Sequence, residues 1–163
     1  MISRTKKEFK NLMKSIIYIC PTAKNKPTGG IKIIYRHAEI LSKLLPKEID
    51  SKIFHFEDLN FQCDWFTHNV NFKKSSTFDS TKEFAIIPEW MAVYHAKKLQ
   101  KTDIKYGIFV QNGFYLNSKP KNNFSDQDIK EAYEKAELII SYSDEITECI
   151  KELSTTEITI IQG

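Results

Sequence analysis

Six short apolar runs punctuate the chain, at Ser15 to Cys20, Lys52 to Phe56, Phe84 to Pro88, Tyr106 to Gln111, Leu138 to Ser141 and Glu157 to Ile161. They are rich in β-branched residues, and most are continuously apolar rather than alternating. That is the pattern of strands covered on both faces, as in a parallel sheet. Parallel neighbours need a crossover connection, and most intervals between these runs carry a helical pattern. The alternation predicts a doubly wound α/β architecture, with a mostly parallel sheet and helices on both faces.

The helical intervals are marked by periodicity and by their caps. Ile31, Ile34, Ala38, Leu41 and Leu45 follow one helix face, with Tyr35 and Leu44 beside them, while Lys32, Arg36, Glu39 and Lys43 take the other side. A second helix is predicted over Trp90 to Leu99, and a third from Ser125 through Glu137. Ser125 and Asp128 have the spacing of a capping box. A fourth starts at Ser143, where Asp144 and Glu145 suit the first turn and Ile146, Ile150 and Leu153 share a face. Residues 57–82 fit no simple helix, but Phe61, Trp65, Phe66 and Phe72 would bury surface there. A short extra strand within a long excursion is the expectation. Residues 113–123 read as a loop.

The length of 163 residues suits one domain with a real core. The predicted division is a leader helix or tail over 1–14 and one domain over 15–163. A net charge of +3 is too small to argue for nucleic acid. Cys20, Cys63 and Cys149 lie too far apart for a CxxC metal pair or a dense disulfide framework, which points to reduced thiols in a cytoplasmic protein. No stretch has the length of a signal-peptide core or a membrane span. The leader is basic with a weak apolar face, and helices of that kind can lie on anionic lipid, so peripheral contact with the inner membrane face is its functional reading, set against the favoured one of a frayed or locally packed helix. His37 falls inside the first helix and reads as structural. His55, His68 and His95 show no ligand spacing, and no metal site is expected.

The first strand runs into Pro21, Pro27 and the pair Gly29-Gly30 before the first helix. In an open parallel sheet, ligands bind beyond the carboxyl ends of the strands, where helix N-termini offer amide donors and partial positive charge. Gly29 and Gly30 therefore suit close approach to an anion, although neither GxGxxG nor a P-loop is present and a simple turn explains them equally. Glu89 ends a later strand, and Gln111 and Asn112 end another. With all strands parallel these would share one rim with the glycines, as a ligand site needs. Separately, Glu89 could cap the next helix, and Gln111-Asn112-Gly113 could turn the chain.

The succession of Pro21, Thr28-Gly29-Gly30-Ile31-Lys32, Tyr35-Arg36-His37-Ala38, Ile87-Pro88-Glu89, Val110-Gln111-Asn112 and Ile140-Ser141-Tyr142-Ser143 resembles the N-terminal, Rossmann-like half of GT-B glycosyltransferases, in the glycogen-synthase-like retaining group. The resemblance spans about residues 15 to 163. It implies an acceptor-side domain facing a donor domain that binds the nucleotide-sugar. The glycine loop would then approach donor phosphates or acceptor through Gly29, Gly30 and Lys32, and Glu89, Gln111 and Asn112 would line the acceptor side. Ser143 matches the serine that opens the helix after the strand.

Many relatives carry a histidine where Gln111-Asn112 stand, so no histidine-assisted reaction transfers and the catalytic residues stay unknown. The donor domain lies outside these residues, so the expectation is a domain inactive alone. Completed, it would move a glycosyl group from a nucleotide-sugar to a saccharide or lipid-linked acceptor in polysaccharide biosynthesis, with no cofactor and no metal. The alternative is a stand-alone Rossmann-like binding or interaction module, forming a homo-oligomer through the open cleft face. A third reading, a small nucleotide-binding enzyme, would take Glu57 as its ribose-binding acid.

Overall fold

Ser15–Cys20 (β1) lies beside Asp50–His55 (β2) in parallel along its whole length, Ser15 opposite Asp50 and Cys20 opposite His55. The computed structural model describes residues 15–23, 26, 28–112 and 124–161. The predicted leader at 1–14 and the loop at 113–123 lie outside the described residues. Two compact units divide the chain, Met1–Ala85 and Ile86–Gly163.

In the first unit, β1 leads to the helix Gly29–Leu44 (α1), then to β2 and to the two-residue strand Asn71–Phe72 (β3), which pairs parallel with Lys52 and Ile53 of β2. Ile31, Ile34, Tyr35 and Ala38 of α1 are buried, as are Ile17 and Ile19 of β1 and Ile53 and Phe54 of β2. Burying the isoleucine and phenylalanine side chains among them contributes roughly 1.5–3 kcal/mol each. The expected polar face of α1 holds for Lys32, Arg36 and Lys43, which are exposed, but not for Glu39, which is buried. Its Oε1 accepts the Asn69 backbone N–H at 2.5 Å and its Oε2 accepts from Arg36 Nη1 at 2.5 Å. The carboxylate is recruited inward because the excursion after β2 offers it a backbone donor. Leu44, expected beside the apolar face, is exposed instead.

The excursion after β2 is ordered by packing and by one shielded ion pair. Lys73 Nζ meets Glu83 Oε1 at 2.7 Å with both side chains largely covered, and the other Glu83 oxygen accepts the Asp79 N–H. Glu83 opens the strand Glu83–Pro88 (β4), so this bridge closes the loop onto the strand it feeds.

In the second unit, β4 ends in a 3-10 turn at Glu89–Met91 and the helix Ala92–Gln100 (α2), followed by Tyr106–Val110 (β5). Asp126–Glu134 (α3), Leu138–Ser141 (β6), Asp144–Ile150 (α4) and Ile158–Ile160 (β7) complete it. The capping box expected at Ser125 is present: its Oγ accepts the Asp128 N–H, and Asp128 Oδ2 accepts the Ser125 N–H. Ser143 caps α4 by accepting the Ile146 N–H. The third helix ends at Glu134, short of the predicted Glu137, because the Glu137 N–H is drawn to Tyr106 O as β6 joins β5. The Tyr106 hydroxyl donates to Ala132 O and accepts from Gln100 Nε2, tying β5 to both flanking helices.

Strand order is β3-β2-β1-β4-β5-β6-β7, all parallel, the Rossmann-like α/β arrangement expected from the six apolar runs. No helix among the described residues is long and apolar enough to cross a membrane.

Candidate functional site

Two groups of polar residues stand at strand ends, one in each unit. In the second unit, Glu89 follows Pro88 directly, so the end of β4 delivers its carboxyl into the fold. Oε1 accepts the Asn112 N–H at 2.8 Å, and the Gln111 backbone amide also bonds this carboxyl. The structure thus brings Glu89, Gln111 and Asn112 together, with the carboxyl clasping the chain as it leaves β5. Oε2 is buried without a hydrogen-bond partner, and so is the Tyr133 hydroxyl of α3. Burial pushes the Glu89 carboxyl up to about 8, the two amides pulling the other way. Burial also raises the Tyr133 phenol, with the Glu89 charge adding to it. At neutral pH this rim therefore holds a carboxylic acid rather than a carboxylate.

Gly29, Gly30 and Lys32 lie in the first unit, in the first turn of α1. Thr28 is its N-cap in extended conformation, but its side chain makes no capping bond, and no acidic residue stands in the first turn. Thr28, Gly29 and Lys32 are exposed. A Cβ at Gly29 would meet no heavy atom within 4 Å. The turn carries the positive end of a 16-residue helix.

The chain leaving β1 is held by two side chains from the end of β2. The Thr22 N–H donates to Glu57 Oε2 at 2.8 Å. His55 Nδ1 faces Pro21 O at 3.2 Å, and Nε2 lies 2.6 Å from the Tyr35 hydroxyl. A carbonyl only accepts, so the ring proton is on Nδ1 and Tyr35 donates to Nε2. Burial lowers His55 to about 4, only partly offset by its bonds to Pro21 and Cys20. The imidazole is a neutral strut. Glu57, the ribose-binding acid of the nucleotide-enzyme reading, has one oxygen engaged by the backbone of the loop.

Neither His55 nor Tyr133 belongs to a sequence motif, although His55 sits at the carboxyl end of an apolar run, as Glu89 and Gln111 do. His37 is half-buried, and burial lowers its pKa, as a structural histidine inside a helix would show. Among the described residues, no group of three or more His, Cys, Asp and Glu side chains is arranged to hold a metal. Cys20 and Cys63 are buried free thiols and Cys149 is an exposed one.

No protein-family model matches the chain. Nor does any curated protein match it in sequence.

Proposed function

We propose that the chain is the acceptor-side Rossmann-like domain of a GT-B-type sugar transferase of the retaining, glycogen-synthase-like group. In this reading a glycosyl group passes from a nucleotide-sugar to a saccharide or lipid-linked acceptor once a nucleotide-sugar-binding domain completes the cleft. The observation that carries it is the start of α1 after β1, where Thr28 makes no side-chain capping bond, exposed Gly29 admits close approach and exposed Lys32 adds charge. Amide donors at a helix N-terminus stabilise charge developing on a departing diphosphate. Gly29, Gly30 and Lys32 serve the phosphate side, and Glu89, Gln111 and Asn112 the acceptor side.

The test is titration of the isotope-labelled chain with a nucleoside diphosphate, followed by amide NMR. The expected result is a shift of the Gly29, Gly30 and Ile31 amides, weakened by Lys32→Ala and abolished by Gly29→Asp, which puts a negative charge at the turn. Unmoved amides at millimolar diphosphate overturn the reading. So does turnover of a nucleotide-sugar by the chain alone, because the reacting groups must be assembled across two domains.

One observation favours the second reading, a binding module without catalysis. The Glu89 carboxyl is turned inward to backbone amides rather than displayed at the rim.

A further inference from the structure

The chain between β2 and β3 forms an open depression of about 610 Å³ walled by residues 62–68, within the range of small-ligand sites. Two ring nitrogens in this wall, Trp65 Nε1 and His68 Nδ1, are buried without hydrogen-bond partners. Their chemistry is complementary. An indole N–H can only donate. His68 Nε2 lies 2.9 Å from Cys63 O, so Nε2 carries the proton and Nδ1 of the neutral ring is an acceptor. The wall therefore holds one unmet donor and one unmet acceptor, the pair that a ligand's hydroxyl groups satisfy.

Its remaining features narrow the ligand further. The Trp65 and Phe66 rings lie 4.7 Å apart, and Phe66 and His68 both pack edge-on to Tyr35 at 5.2 and 4.9 Å. Tyr35 is fully buried and bonded to His55, and the Asn69 N–H is fixed to Glu39, so the platform stands on rigid supports. No Lys or Arg lines the depression, and Asp64 contributes a carboxylate. An anionic ligand such as a phosphate is disfavoured.

We propose that residues 62–68 form a binding site for a neutral saccharide. The C–H face of the sugar lies on the Trp65 and Phe66 rings. The Trp65 N–H donates to one sugar oxygen, and His68 Nδ1 accepts from a sugar hydroxyl. Both side chains are half-buried and line the depression, so their unmet nitrogens belong to its wall. Asp64 and Gln62 take further hydroxyls. The site goes beyond the transferase reading, since none of its wall residues belongs to the first turn of α1 and it binds whether or not a sugar is transferred.

The test uses the full chain with Trp90→Phe, which leaves Trp65 as its one tryptophan. Glucose, N-acetylglucosamine and maltose are titrated, with inorganic phosphate as the anionic control. At least one sugar is expected to shift Trp65 emission and the indole N–H resonance, and phosphate to shift neither. In the otherwise unchanged chain, Trp65→Phe keeps an aromatic ring and removes the donor to the sugar, and His68→Phe keeps an aromatic ring and removes the acceptor together with the bond to Cys63 O. Each is expected to weaken binding about tenfold, followed by the amides of residues 62–68. Circular dichroism confirms that each variant is folded; should one fail to fold, the other and the unaltered chain still decide. No response to any of the three sugars overturns the proposal, as does equal affinity in a folded variant. The diphosphate titration reads the amides of Gly29 to Ile31, so the two proposals fail separately.

Discussion

Glu89 Oε1 accepts the Asn112 N–H at 2.8 Å while its Oε2 is buried with no partner. Burial raises this acid from 4.5 to about 8, so the folded state holds the proton more tightly than the unfolded chain. Its contribution to stability is full below about 4.5 and is lost as pH rises through about 8, with a slope approaching roughly 1.4 kcal/mol per unit between. Glu89→Gln keeps the size and the acceptor and removes the ionisation. Urea midpoints from pH 5 to 8.5 are expected to fall less steeply in the variant than in the parent. Parallel slopes would rule out a buried, protonated Glu89.

His55 shows the opposite dependence. Burial first, against its bonds to Pro21 and Cys20, lowers it from 6.5 to about 4, so the folded state favours the neutral ring. The stabilisation is present above 6.5 and is lost as pH falls toward 4. In NMR titration its ring signals are expected to stay flat from pH 8 to 5, and a midpoint near 6.5 would refute the strut. Tyr35→Phe leaves Nε2 without its donor and is expected to cost about 1–2 kcal/mol.

Glu39 tests how the excursion after β2 is anchored. Its burial opposes the charge, but the Asn69 amide and Arg36 outweigh it and hold the carboxyl below its usual value. The resulting stabilisation is present above 4.5 and is lost as pH falls through the lowered value. Glu39→Ala leaves the Asn69 amide unmet and is expected to cost about 1–3 kcal/mol, with faster hydrogen exchange at that amide. Glu39→Gln keeps an acceptor there and should cost less. Unchanged exchange at Asn69 in the alanine variant would count against this anchor.

Two glycines should respond oppositely to alanine. A Cβ at Gly107 would lie 2.9 Å from Leu138 O and 3.2 Å from Ile86 Cδ1, so the parallel pairing of β5 with β6 must give. A loss of about 1–3 kcal/mol is expected. At Gly29 there is space, and φ is not positive, so alanine should be neutral or stabilise by up to about 1 kcal/mol. Denaturation of both variants checks the contrast, and equal effects would contradict this packing at Gly107.

The strands and helix starts were legible because their causes are local. The run Ser15 to Cys20 has the bounds of β1, and Ser125 and Ser143 cap helices within their own first turns. The positions of Gly29 and Lys32 at a helix start follow from the same local patterns. Less could be read of residues whose partners are distant in sequence. Glu39 looked like a surface residue because its helix spacing is polar, and Asn69, which draws it inward, lies 30 residues away. Glu89 looked like a rim carboxylate, and only the return of β5 provides the amide donors that turn it inward.

The amino-acid sequence by itself therefore determined an α/β chain of parallel strands and intervening helices, since backbone preference and apolar periodicity act over a few residues. The tertiary structure decided which polar groups are neutral, engaged or unmet: Glu89 as a buried acid, His55 as a neutral strut, and Trp65 and His68 with unsatisfied nitrogens. Those properties arise from desolvation and from hydrogen bonds between distant segments, which exist only once the chain has closed on itself.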